Sequence, residues 1–236
     1  MSDEHCHFPA PALLRLQSWL SPAFPTGAYS YSHGLEWAVE VGCINDRKSL
    51  VDWLEADLSY GSGRNEAIFF SEAWRSAHDE DSAKLFEIGE LAAAFRGTSE
   101  FALESSQQGS AWCATLRQVW PEGLLQSVSQ LLSEHDVPTS LAVVLGIRSA
   151  REGIPLSFAL PAFLQSYIAN LVTAGVRLVP LGQTDGQLAI AALEEAVLAA
   201  SARGRNARLD DLGSAAFMVD LASMAHETQY TRLFRS

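Results

Sequence analysis

The chain has 236 residues, 48% of them hydrophobic, with six Trp and eleven Phe; this suffices for one domain with a sizeable core and excludes a disordered composition. A formal charge of -12 repels phosphate backbones, so nucleic acid is a poor partner, and a cation or a basic protein surface is a better one. Cys6, Cys43 and Cys113 are too few and too scattered for a disulfide framework and read as reduced cytosolic thiols.

Residues 1–12 are assigned to a flexible N-terminal tail. Pro11 suits a first helical turn, and Leu13, Leu14, Leu16 and Leu20 repeat behind it at helical spacing. Two prolines and a glycine between Ser21 and Gly27 require a loop. Ser32 is placed as the cap of a helix running to Val41 and stopping at Gly42. Asp46 is placed as the cap of the next, which carries Leu50, Val51, Leu54 and Leu58 and ends at Gly61-Ser62-Gly63. Further helices are predicted over 65–77, 82–95, 98–119 and 124–134, with Asp79-Glu80-Asp81 as a solvated turn.

Residues 139–151 contain Leu141-Ala142-Val143-Val144-Leu145, which fits a buried strand or a helix; the length and the helical neighbours favour a helix. The clearest core helix covers 157–178. Leu160, Leu164, Tyr167, Leu171 and Ala174 form one stripe, and Ile168, Val172 and Gly175 a second, where the small residue allows close helix approach. Asp185 is placed as the cap of a helix over 187–203, residues 204–208 as a polar linker, and a last helix over 211–224. No strand and helix alternate, and no run of eighteen apolar residues occurs, so the fold class is all-α: one compact domain of about ten helices without a significant β-sheet, spanning 13–225, and no membrane partner. The polar, acidic start carries no pattern of a secretory leader.

The sequence lacks a Gly-Lys dipeptide, a third glycine to follow Gly61-Ser62-Gly63 and any Gly-x-Ser-x-Gly elbow, which argues against GTP or NAD binding and against hydrolase chemistry. His5, Cys6 and His7 are ligand types that nickel or zinc accepts, although one extended tripeptide seldom fills a coordination sphere. Residues 100–109, with Glu104, Ser105, Gln107 and Gln108, read as a solvated helix face. Three segments stand out. Residues 20–36 combine Pro25, Gly27, Tyr29, Ser30, Tyr31, Ser32, Gly34 and Glu36 in an aromatic, hydroxyl-rich loop suited to recognition. Residues 177–187 combine Arg177, Pro180, Gly182, Gln183, Asp185, Gly186 and Gln187, which suits either a binding motif or a capped helix connection. Residues 226–236 carry His226, Glu227, Gln229, Tyr230, Arg232, Leu233, Phe234 and Arg235. Tyr, Leu, Phe and Arg are anchor residues, so this tail docks either on its own domain or on a partner; His226 is also a weak metal candidate.

These three segments, in this order, resemble the UreF family of urease accessory proteins. The stretch 20–36 is similar to the family's Leu-x-Ser-Pro-x-x-Pro-x-Gly-x-x-Ser-Tyr-Ser-x-Gly-Leu-Glu, 177–187 to Arg-Leu-x-Pro-Leu-Gly-Gln-x-x-Gly-Gln, and the end to His-Glu-x-Gln-Tyr-x-Arg-Leu-Phe-x-Ser. Thr26, Tyr29 and Ala225 depart from the family's common Val, Phe and Arg. The resemblance implies an all-helical, non-enzymatic, cytoplasmic chaperone that dimerises within a complex. Its implied partners are a UreD/UreH-type scaffold, bound through the tail, the GTPase UreG and the urease apoprotein. The implied role is GTP-dependent nickel insertion, with nickel at most a transient ligand and no tightly bound cofactor. An alternative reading is a helical nickel carrier using His5, Cys6, His7 and His226. Arg177, Arg232 and Arg235 are candidates by residue type alone for stimulating GTP hydrolysis in trans.

Overall fold

The computed structural model describes residues 9–235. His5, Cys6 and His7 therefore lie outside the described residues. Among those described, eleven α-helices and no strand occur: α1 (Ala10–Trp19), α2 (Leu35–Glu40), α3 (Arg47–Tyr60), α4 (Ser62–His78), α5 (Ser82–Ala94), α6 (Ser99–Val119), α7 (Gly123–Glu134), α8 (Leu141–Arg151), α9 (Leu156–Leu178), α10 (Gln183–Asn206) and α11 (Phe217–His226). The all-α single domain is as the sequence predicts, and residues 141–151 take the helical alternative.

The centre of the molecule is α4 packed against α8 and α9. Helix α4 buries residues around most of its circumference, including Phe69, Phe70 and Ala73, as a helix does when it is enclosed on all sides. Gly146 of α8 lets that helix lie close on α4, because a Cβ there would stand 2.5 Å from the Phe70 carbonyl oxygen. Helices α3 and α10 cover one flank, and α5 and α7 another. Gly175 of α9 lies under Leu50 of α3, whose Cδ2 would be 2.7 Å from an added Cβ, so the small-residue stripe does admit a neighbour. Helix α9 is long and apolar enough to cross a bilayer, but Leu160, Leu164, Ile168 and Val172 pack in this core. Helices α2, α6 and α11 form a third side.

The predicted caps hold at Asp46, whose Oδ1 accepts from Ser49 N–H at 2.7 Å, and Thr98 caps α6 through Phe101 N–H at 3.1 Å. Five boundaries differ from expectation. Gly61-Ser62-Gly63 is a sharp corner, because the buried Asp57 carboxylate caps α4 by accepting from Ser62 N–H at 3.0 Å and Gly63 N–H at 3.3 Å. Gly34 rather than Ser32 opens α2, in a left-handed conformation with φ 78°. Helix α10 starts at Gln183, so Asp185 lies in its first turn and pairs with Arg47 at 3.1 Å. The same helix runs through the expected linker to Asn206, since Gly204 lets it lie against Ala67. The last helix begins at Phe217, after a short 3-10 turn at Leu209–Asp211.

Candidate functional site

The loop between α1 and α2 turns on two left-handed glycines. Gly27, at φ 72°, precedes a 3-10 turn over Ala28–Ser30. Gly34 lies so close to α11 that a Cβ would be 2.8 Å from Ser223 N, which fixes the loop against that helix. This arrangement places Glu36, buried, in the first turn of α2 and pointing at the chain's C-terminal end.

Helix α11 ends at His226, whose ring is fully buried. Its Nδ1 is 2.9 Å from both carboxyl oxygens of Glu100 on α6, and its Nε2 is 3.2 Å from Glu36 Oε2. Beyond it the chain folds back over the same site. Arg232 Nη1 donates to Glu100 Oε1 at 3.2 Å. The backbone N–H groups of Leu233 and Phe234 donate to the two oxygens of Glu36 at 2.6 and 2.9 Å. Arg235 N–H donates to the Ser30 carbonyl at 2.8 Å. Arg177 of α9 completes the joint: Nη1 donates to the Tyr29 carbonyl at 2.8 Å, and the guanidinium lies 4.3 Å from the centroid of the buried Phe234 ring. Desolvation raises the Glu100 carboxyl above its ordinary range, although His226 and Arg232 oppose the shift.

Beside the joint is a cavity of about 530 Å³, lined by Tyr31, His33, Ser62, Phe101, Glu104 and Tyr167 among others. His33 stacks on Phe101 with 4.0 Å between centroids. Its Nδ1 is 3.1 Å from Glu104, and its Nε2 is 2.5 Å from Ser62 Oγ and 3.1 Å from the Tyr167 hydroxyl. Tyr167 donates to Asp57 Oδ2 at 2.7 Å, and burial holds its hydroxyl well above the usual phenol range. Burial pushes the His33 imidazole down, but Glu104, helped by Asp57 and Glu66, outweighs it, and the net shift is upward. The serine, histidine and acid are therefore already saturated: Ser62 Oγ is also 2.8 Å from Asp57, which takes the neighbouring amides too.

The three segments singled out in the sequence meet only in part. Glu36, Ser30 and Tyr29 of the first, Arg177 of the second and residues 226–235 of the third converge on the joint. Tyr31 is buried and bonded to Gln107, and Ser32 Oγ accepts from Glu36 N–H at 3.4 Å. Pro25 is exposed. Pro180, Gly182, Gln183, Asp185, Gly186 and Gln187 lie apart, at the corner between α9 and α10, where Gly186 makes room for Val176. In the tail, Gln229 bonds Glu40, Glu227 accepts from Ser99 at 2.6 Å, and Tyr230 and Leu233 project outward. Arg177, Arg232 and Arg235 all make contacts within the chain. Both nitrogens of His226 face carboxylates, and no group of three metal-ligating side chains occurs among the described residues.

Sequence reasoning missed the receiving side. Residues 100–109 are not a solvated face: Glu100 and Gln108 are buried, and Glu104 bonds His33. The missed signal was the spacing of Glu100, Glu104 and Gln108, which puts three polar groups on one helix face alongside Phe101 and Trp112. Beside the joint, α11 turns Phe217, Met218, Leu221 and Met224 outward, with Phe217 71% exposed.

A profile of the UreF family matches residues 44–194. The urease accessory protein UreF of Rhodopseudomonas palustris (strain BisB5) is 50% identical over 226 residues, covering 95% of this chain and 91% of that protein. The proteins of that name from Granulibacter bethesdensis and Bradyrhizobium diazoefficiens are 48% and 47% identical, each covering at least 95% of this chain and 93% of their own length. With identity near one half along nearly the whole chain, the chain belongs to the UreF family of urease accessory proteins.

Proposed function

We propose that the chain is a non-enzymatic adaptor of the cytoplasmic urease maturation complex. It joins a UreD/UreH-type scaffold to the GTPase UreG, so that nickel, the cargo, is delivered to the urease apoprotein as GTP is hydrolysed. The sequence carries no phosphate-loop motif, which supports a reading in which nucleotide chemistry belongs to another chain. A homodimer inside the complex belongs to the same reading.

The observation that carries the proposal is the joint itself. Residues far apart in the chain are held together there by buried carboxylates, and the joint presents large apolar side chains outward, Tyr29, Tyr230, Leu233 and the α11 residues Phe217, Leu221 and Met224, among exposed polar ones such as Arg232 and Arg235. Exposed apolar patches of a few hundred Å², rimmed by polar groups, mark protein contact sites, and aromatic anchors dominate their energetics. In this reading the tail and α11 together form the scaffold-facing surface.

Co-purification tests it. From cells expressing the full accessory set, the intact chain brings down scaffold and GTPase. The chain lacking 229–236 keeps its helical circular dichroism and loses the scaffold. Undiminished scaffold capture by the truncated chain contradicts the docking role of the tail.

A further inference from the structure

The cavity beside the joint is walled mainly by apolar and aromatic side chains, among them Phe101 and Trp112 of α6, Leu145 of α8 and Phe163 of α9. Its volume, about 530 Å³, lies within the range of small-molecule sites. Two carboxamides interrupt that wall: Asn65 in the first turn of α4 and Gln108 on α6. Both are more than nine-tenths buried, at 7% and 8% exposure.

Their partners fix which way each amide faces. An ionised carboxylate only accepts hydrogen bonds, and a backbone N–H only donates. Gln108 therefore turns its Nε2 to Glu104 Oε1, 3.1 Å away, and Asn65 turns its Oδ1 to the Gly213 N–H, also at 3.1 Å. What remains is Gln108 Oε1 as an acceptor and Asn65 Nδ2 as a donor, and neither has a partner among the described residues. Buried polar groups are rarely left so. The charged groups of the wall are instead paired: Glu104 with His33 at 3.1 Å, Glu66 with Arg96, and Asp220 accepting from Ser214 at 2.9 Å.

We propose that this cavity binds a small neutral organic molecule in which a carboxamide or ureido group is joined to an aromatic body. The ligand's carbonyl accepts from Asn65 Nδ2, its N–H donates to Gln108 Oε1, and its ring packs among Phe101, Trp112 and Phe163. The charges of the wall select for neutrality. An anion meets Glu66 and Glu104, and a cation meets carboxylates that already hold Arg96 and His33. The site is formed by this chain alone and is probed without any partner, so its failure leaves the adaptor role untouched.

The test titrates benzamide and phenylurea into the full chain, with toluene and benzoate as controls. Binding is read from the side-chain amide resonances of Asn65 and Gln108 and the indole N–H of Trp112, assigned by through-bond correlation in the unmodified chain. Both probes are expected to shift these resonances saturably, with Kd about 1 mM or tighter, and toluene and benzoate to bind at least about tenfold more weakly. Gln108→Leu is expected to weaken benzamide about tenfold and to leave toluene unchanged. No saturable shift from either probe overturns the proposal, as does toluene or benzoate binding as tightly as benzamide. Undiminished benzamide affinity in a folded Gln108→Leu overturns it too. If that variant does not fold, the shifts in the unmodified chain decide.

Discussion

His33 shows how one buried residue links the cavity wall to stability. Its imidazole is raised because the neighbouring carboxylates, Glu104 above all, outweigh burial. A group raised on folding stabilises the native state below its ordinary value of about 6.5 and loses that contribution as pH climbs through the folded value. The thermal midpoint of the intact protein is therefore expected to fall as pH rises above about 6.5, with a shallower fall in His33→Asn. Thermal scans of both proteins across that range check this, and parallel profiles would contradict it. Neither His33 nor Glu100 was legible from the sequence in these roles. A lone histidine and a polar helix face look the same whether the facing wall is solvent or another helix, and only the packing of α6 against α8 and α11 decides.

At the scale of elements, close approach is the controlling quantity. A Cβ at Gly146 would collide with the backbone of α4, which has no flexible end to move aside. Gly146→Ala is expected to destabilise the fold by about 2 kcal/mol or more, as overpacking a tight helix contact does. Gly123, at the start of α7 with nothing within 4 Å of an added Cβ, is the control: Gly123→Ala is expected to be neutral or stabilising by about 0.5 kcal/mol. Denaturant titrations of the two variants check the contrast, and equal effects would mean that α4 and α8 are not held at that distance. Most helices were legible because apolar periodicity and a cap such as Asp46 act locally. The boundaries that were not legible depended on distant atoms. Asp57 caps the corner at Ser62, and the backbone of α11 excludes any side chain at position 34. The tail motif was visible as a motif, but its receptor, divided among Glu36, Glu100 and Arg177, had no continuous signature in the chain.

For the whole molecule, the central claim is that three distant segments act as one docking unit. Arg177 tests this most economically, because it holds the Tyr29 carbonyl with one nitrogen and covers Phe234 with its guanidinium, while its own side chain stands at the surface. The decisive measurement is a double-variant cycle on the affinity of the purified chain for the UreD/UreH-type scaffold. It uses Arg177→Ala, deletion of 229–236 and both together, each verified as folded by circular dichroism. The account predicts that each change alone weakens binding about tenfold or more, and that the combination is little worse than the deletion, because Arg177 acts through the tail. Scaffold affinity unchanged by either alteration, or losses that simply multiply, would contradict it.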